Sequence, residues 1–82
     1  MLPEVLDSIN NCFEQVLSEL WGNLSKEYIF IIKQIIIKCY VSFYEIIRDD
    51  EKLTSAFESI LEQLISLNCC EAAVLLDEFR TH

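Results

Sequence analysis

The sequence predicts an all-α protein: a small helical bundle of three main helices and a short C-terminal helix, with the hydrophobic second helix at its centre. The 82 residues include a single glycine and a single proline, so the chain has few places to turn. Apolar residues also recur every three or four positions over most of the chain, which is the period of an amphipathic helix. We therefore expect one helical-bundle domain over residues 1–82, and we treat it as a candidate for a domain excised from a longer protein.

The first predicted helix begins at Pro3, whose missing N–H needs no intrahelical partner in a first turn. Its apolar face comprises Val5, Leu6, Ile9, Cys12, Phe13, Val16, Leu17, Leu20, Trp21 and Leu24. Gly22 and Asn23 predict the end of this helix, in a turn that tolerates left-handed backbone. Ser25 is placed to cap the helix that follows.

The second predicted helix is unusually apolar. From Tyr28 to Ile47, fifteen of twenty residues are apolar and eight are isoleucine, which favours a β-strand by propensity alone. The segment has no Gly, Pro, Asn or Asp to turn a hairpin, and the polar residues fall in one stripe at helical spacing. This stripe comprises Glu27, Gln34, Lys38, Ser42, Glu45 and Asp49. Such a helix is central in a bundle or lies in a membrane, and Lys33 and Lys38 argue against a membrane span.

Two further helices follow an acidic connection at residues 49–51, which supplies helix-capping oxygens. Ser55 and Glu58 have the spacing of a capping box, which predicts a somewhat later start for the third helix. The face of the third helix comprises Leu53, Phe57, Ile60, Leu61, Leu64, Ile65 and Leu67. Asn68 predicts its end and, with Glu71, can cap a short fourth helix. That helix carries Ala72, Ala73, Leu76 and Phe79.

The net charge of −8 argues against direct binding of nucleic acid, because phosphates are repelled and no basic patch offsets the repulsion. The charge is uneven along the chain: residues 1–25 carry four acids and no base, residues 26–48 sum to +2, and residues 49–82 sum to −6. The second helix is therefore the basic part of an acidic protein.

The cysteines indicate a reducing compartment. All four, Cys12, Cys39, Cys69 and Cys70, lie at or beside apolar helical positions, where a free thiol behaves as a small hydrophobe. No signal peptide pattern opens the sequence. We expect structural thiols and an intracellular location, cytoplasmic or nuclear.

The sequence is poor in catalytic groups. The single histidine, His82, is the last residue, and adjacent acids such as Asp77 and Glu78 point in different directions on a helix. One glycine cannot form a phosphate-binding loop, the cysteine spacing does not suit zinc, and the acidic connection lacks the glycine and closing glutamate of an EF-hand. We expect no enzymatic activity, no cofactor, no metal ion and no small-molecule substrate. A small enzyme or metal protein that uses the acidic clusters is the disfavoured alternative.

The second helix offers two groups of apolar residues. The wider group predicts the intramolecular core and comprises Tyr28, Ile29, Ile32, Ile35, Ile36, Cys39, Tyr40, Phe43, Ile46 and Ile47. The second group, here named the predicted stripe, comprises Phe30, Lys33, Ile37, Tyr40, Val41 and Tyr44. It has the alternating three-and-four spacing of a helix–helix seam, and a contiguous apolar patch of this kind usually marks an interaction surface. Alternatively, the short fourth helix folds back and covers it.

These observations predict a non-catalytic intracellular module that brings copies of a larger protein together, as a homodimer or higher oligomer, through the second helix. An antiparallel pairing would set Lys33 or Lys38 against the acidic face of another copy. The alternative is an adaptor domain that receives an amphipathic helix of a different protein, on the predicted stripe or in a hydrophobic groove between helices.

Overall fold

The computed structural model describes residues 3–22 and 25–81, which form four helices. These are α1 (Pro3–Leu20), α2 (Lys26–Asp49), α3 (Glu51–Ser66) and α4 (Cys70–Thr81). No strand occurs within the described residues, and the predicted all-α bundle is confirmed. The roles predicted for Asn23, Leu24 and His82 fall on positions outside the described residues.

The helix at the centre of the bundle is α3, whereas the sequence placed the second helix there. α3 packs against α1, α2 and α4, while α1 and α2 touch each other only lightly. The core residues of α3 are Leu53, Phe57, Ile60, Leu61 and Leu64, all almost fully buried. The longer α2 buries only Ile32, Ile36 and Ile47. The correction has a physical reason: the apolar content of a helix sets how much surface it can bury, but packing with its neighbours sets where it lies.

The Phe57 ring of α3 contacts one aromatic ring from each of the other three helices. Its ring centre lies 5.7 Å from that of Phe13 on α1 and 5.7 Å from that of Tyr40 on α2. Phe79 on α4 is closer still, at 5.0 Å. Each such pair contributes about 0.5–1.5 kcal/mol beyond the burial of its area. The side chain of Phe57 is therefore a contact point that all four helices share.

Local hydrogen bonds start α2 and α3. Ser25 caps α2 as predicted, since its Oγ accepts a hydrogen bond from the Tyr28 amide at 3.2 Å. Asp50 alone separates α2 from α3, and its carboxylate accepts a hydrogen bond from the Leu53 amide at 3.0 Å. The later start predicted from Ser55 is wrong, because Asp50 satisfies the helix terminus first.

The other two connections differ in their backbone geometry. Asn68 follows α3 with a φ of 67°, the left-handed conformation in which Asn commonly ends a helix. Gly22 follows α1 without a positive φ, and its amide donates a hydrogen bond to the Glu19 carbonyl at 3.0 Å. Gly22 itself therefore does not adopt the left-handed backbone that the sequence suggested for this turn, and Asn23 lies outside the described residues.

We expect Asp50→Ala to lower the free energy of unfolding by about 1 kcal/mol, because the Leu53 amide loses its capping acceptor. Urea denaturation followed by circular dichroism measures the change. Asp49→Ala is the matched control, since Asp49 is exposed in the last turn of α2, where an acid opposes the helix dipole. Equal losses in the two variants would contradict the capping role.

α2 bends at Phe43, where the backbone leaves helical geometry with φ −130° and ψ 28°. On an unbroken helix, Phe43 would share the face of Ile36 and Ile47, two turns before it and one turn after it. Those two side chains are fully buried, but Phe43 is only half-buried. The bend thus holds an aromatic ring at the margin of the core.

Candidate interaction surfaces

The predicted stripe lies along the side of α2 that faces α4. Lys33 Nζ forms a salt bridge with Glu71 Oε1 at 3.4 Å, and only 18% of the Lys33 side chain is exposed. The Tyr40 ring lies 6.4 Å from the Phe79 ring, and burial raises the pKa of Tyr40. α4 therefore covers part of the predicted stripe, as in the alternative that the sequence left open.

The remainder of the predicted stripe is accessible. Phe30 is 57% exposed and Val41 is 75% exposed, with the half-buried Ile37 and Tyr44 beside them. These four residues are named the α2 patch. An exposed apolar side chain of α4, Val74, lies one turn after Glu71. The apolar surface is thus continued toward α4 at the edge where Lys33 and Glu71 meet.

Two cations lie against the aromatic rings of the α2 patch. The Lys33 ammonium is 4.9 Å from the centre of the Phe30 ring. The Arg48 guanidinium is 5.6 Å from the Tyr44 ring and donates a hydrogen bond to the Tyr44 hydroxyl. The pKa of Glu71 is lowered first by a hydrogen bond from its own amide and then by Lys33. Arg48 thus makes one end of the patch positive, which complements an acidic partner, whereas the charge of Lys33 is balanced by Glu71.

A second apolar surface is a groove of about 570 Å³ between α1 and α2. Its apolar lining consists of Val5, Ile9, Cys12, Ile35, Cys39 and Phe43. The exposed residues Glu4, Ser8, Lys38 and Ser42 complete the lining. The groove exists because both helices pack on α3 and only lightly on each other.

The groove was not predicted from the sequence. The apolar spacing placed Ile35, Cys39 and Phe43 in the core, yet Ile35 is exposed and the other two are half-buried. Their spacing is the same as that of core residues, and no sequence signal distinguishes a wall of a groove from a buried contact.

The groove lies at the open end of the α1–α2 hairpin. Near the turn, the Tyr28 hydroxyl donates a hydrogen bond to the Glu19 carboxylate. This bond raises the pKa of Tyr28 to about 12 and lowers the pKa of Glu19. Away from the turn, the lining runs from Cys12 and Ile35 toward the bend in α2. The Glu19–Tyr28 hydrogen bond thus joins the two helices near the turn, and the groove lies away from it.

The Cys39 side chain, on the α2 wall of the groove, is half-buried. Burial raises the pKa of the Cys39 thiol to about 11, and the neighbouring Cys12 thiol adds to the shift. The thiolate form is thus disfavoured, and a thiol of this kind is a weak nucleophile. None of the four cysteines forms a disulfide. Cys12 and Cys39 act in the structure as apolar lining.

Part of the negative charge on α3 is balanced by Arg80 of α4. Arg80 Nη2 lies 3.2 Å from Glu58 Oε2 and 3.0 Å from Glu62 Oε1, so one guanidinium bridges two acids. Within residues 3–22 and 25–81, no three His, Cys, Asp or Glu side chains are grouped to hold a metal ion. No helix in the described part of the chain is long and apolar enough to cross a membrane.

No family model, curated protein or solved structure matches this chain.

Proposed function

We propose that this chain is a non-catalytic module that pairs copies of an intracellular protein through the α2 patch. The observation that carries the proposal is the exposure of Phe30 and Val41 on the most isoleucine-rich helix of a small domain. A domain of this size has little apolar surface to spare. Burying each of these side chains in a partner contributes about 1.5–3 kcal/mol before the cost of association.

The charges of α2 are compatible with an antiparallel pairing of two copies. A register that sets Phe30 of one copy against Val41 of the other also sets Lys26 against Glu45. Two-fold symmetry repeats both contacts, so one favourable pair in sequence supplies two in the interface. Pairs of this kind contribute more to the register than to the affinity.

The same register contains an unfavourable contact, which the two-fold symmetry also repeats, because it brings Lys33 of each copy near Lys38 of the other. The charge of Lys33 is already paired with Glu71 at 3.4 Å within its own chain. This pairing reduces the repulsion, since the local field of the two side chains largely cancels.

We expect the purified chain to have twice its monomer mass of 9.6 kDa in solution. Light scattering coupled to size exclusion measures this over a wide range of protein concentration. The double variant Phe30→Glu, Val41→Glu is expected to be monomeric and still helical, because both side chains are exposed within one chain. Trp21→Glu is the control, since Trp21 is exposed after α1 and outside the α2 patch.

A charge exchange tests the register within the same experiment. Lys26→Glu is expected to weaken the dimer, and adding Glu45→Lys is expected to restore it. A wild-type chain that stays monomeric at every concentration would contradict the pairing. So would a dimer that survives Phe30→Glu, Val41→Glu.

A second candidate is an adaptor whose α2 patch receives an amphipathic helix of a different protein. The observation that favours it is the Lys33–Lys38 repulsion, which a partner helix with acids opposite Lys38 would avoid. A monomeric wild-type chain that captures an acidic amphipathic peptide, and loses it with Phe30→Glu, Val41→Glu, would favour the adaptor.

A further inference from the structure

We propose that the groove between α1 and α2 binds a free medium-chain fatty acid, with the alkyl chain in the groove and the carboxylate at Lys38. The groove involves Ile35, Cys39 and Phe43 of α2, which lie on a different side of the helix from Phe30 and Val41. The groove is therefore a different surface from the α2 patch, although its anchor Lys38 also comes near the partner copy in the proposed register; the inference does not rest on the pairing.

The size of the groove favours an alkyl chain over a helix. Its volume of about 570 Å³ lies within the range of ligand pockets, about 300–1,000 Å³. Along α2 it runs from Ile35 to Phe43, which is about 12 Å at the rise of an α-helix. A helix about 10 Å across fills roughly 900 Å³ over that length. The groove is too small to enclose a partner helix, whereas a single alkyl chain is far narrower.

The lining has the chemistry of an apolar pocket with one polar anchor. Ile9 is almost fully buried at the base, and the half-buried Cys12 and Cys39 come from opposite helices. The bend in α2 diverts the Phe43 ring from the core to this lining. An alkyl chain that enters the groove exchanges water for apolar contacts along its length.

Lys38 is the one cation of the lining, and among the described residues it has no hydrogen-bond or ion-pair partner. Because α1 and α2 run antiparallel from the Glu19–Tyr28 contact, the backbone of Lys38 lies level with Ile9. A side chain on a helix leans toward the helix N-terminus, which for Lys38 is toward the Ile35 end of the groove. Glu4, the one anion of the lining, lies level with Phe43 at the open end. An anionic headgroup is thus attracted to the Ile35 end and repelled from the Phe43 end, so the alkyl chain extends along the groove between them.

The hydroxyl groups of Ser8 and Ser42 also line the groove, on opposite helices. Both residues are exposed, so their hydroxyls can donate to a carboxylate held at Lys38 without any change in the fold. The Lys38 ammonium and the two serine hydroxyls can each donate a hydrogen bond to a carboxylate.

The test is a calorimetric titration of the full chain with dodecanoate below its micelle concentration. Dodecyltrimethylammonium, which has the same alkyl chain and a cationic headgroup, is the matched ligand. We expect saturable binding of dodecanoate at one site per chain. The cationic ligand is expected to bind at least about tenfold more weakly, because it loses the charge-assisted contacts at Lys38.

Matched variants identify the anchor. Lys38→Glu is expected to weaken dodecanoate binding at least about tenfold and to reverse the preference between the two ligands. Lys52→Glu changes the net charge equally at an exposed lysine of α3 outside the groove, and is expected to leave the affinity unchanged. Glu4→Gln is expected to tighten binding, since it removes the one anion of the lining. Amide chemical-shift changes should be confined to residues 4–12 and 35–43.

Several results would overturn the proposal: no saturable binding of dodecanoate, equal affinity for the two ligands, or equal losses with Lys38→Glu and Lys52→Glu. Cosedimentation with anionic vesicles in the absence of monomer binding would also overturn it, by assigning the surface to a membrane. Repeating the titration on Phe30→Glu, Val41→Glu separates the two proposals, because a monomer that still binds dodecanoate leaves the groove site intact.

Discussion

Phe57→Ala is expected to produce the largest loss of stability of any single truncation to alanine in this chain. Phe57 is fully buried, and its ring meets Phe13, Tyr40 and Phe79 from the other three helices. Truncating a buried phenylalanine costs about 3–5 kcal/mol. The total stability expected for a domain of 82 residues is about 4–12 kcal/mol, at roughly 0.05–0.15 kcal/mol per residue. The loss is therefore a large part of the whole.

Circular dichroism during thermal and urea denaturation measures this effect, and Phe30→Ala provides the control. Phe30 is mostly exposed on α2, so its truncation is expected to change the unfolding free energy of the monomer by less than about 0.5 kcal/mol. The comparison is made in the Val41→Glu background to exclude effects of pairing. Similar losses for the two phenylalanines would show that α3 does not hold the centre of the bundle.

Ile36→Ala is expected to lower the free energy of unfolding by about 2–5 kcal/mol. Ile36 is the only fully buried member of the run Ile35–Ile37, because Ile35 is exposed and Ile37 is half-buried. Three identical side chains in adjacent positions thus provide their own controls. The expected order of the losses upon truncation to alanine is Ile36, then Ile37, then Ile35.

This order tests the rotation of α2 about its axis. Adjacent residues are about 100° apart on a helix, so a different rotation would bury Ile35 or Ile37 in place of Ile36. Urea denaturation of the three alanine variants gives the order directly. A larger loss for Ile37→Ala than for Ile36→Ala would turn the α2 patch toward the core and would remove the basis of the proposed pairing.

Sequence patterns predicted the helices but not their arrangement. The helical state of α2 follows from the spacing of Gln34, Lys38 and Glu45, even though the isoleucines favour a strand. The Ser25 cap is equally local, since it needs only a hydroxyl three residues before an amide. The central place of α3 depends on Phe57 meeting three other rings, and those contacts join residues far apart in the sequence.

The candidate surfaces, too, were predicted from the sequence only where they depend on local spacing. The spacing of Phe30 and Val41 marks them as an apolar strip, and both are exposed. The same spacing does not reveal that Glu71 of α4 forms a salt bridge with Lys33, so that α4 covers part of the predicted stripe. Ile35 and Cys39 have the pattern of core residues, and the groove that they line depends on how far α1 stands from α2.

The central position of α3 also affects the order of events during synthesis, because a ribosome delivers α1 and α2 first. These two helices touch only lightly, so side chains such as Phe13 and Ile36 have little to pack against until α3 emerges. A nascent chain of which residues up to about 50 have emerged is thus an apolar hairpin without the helix it packs on. Arrival of the third helix is the step that converts it into a folded domain.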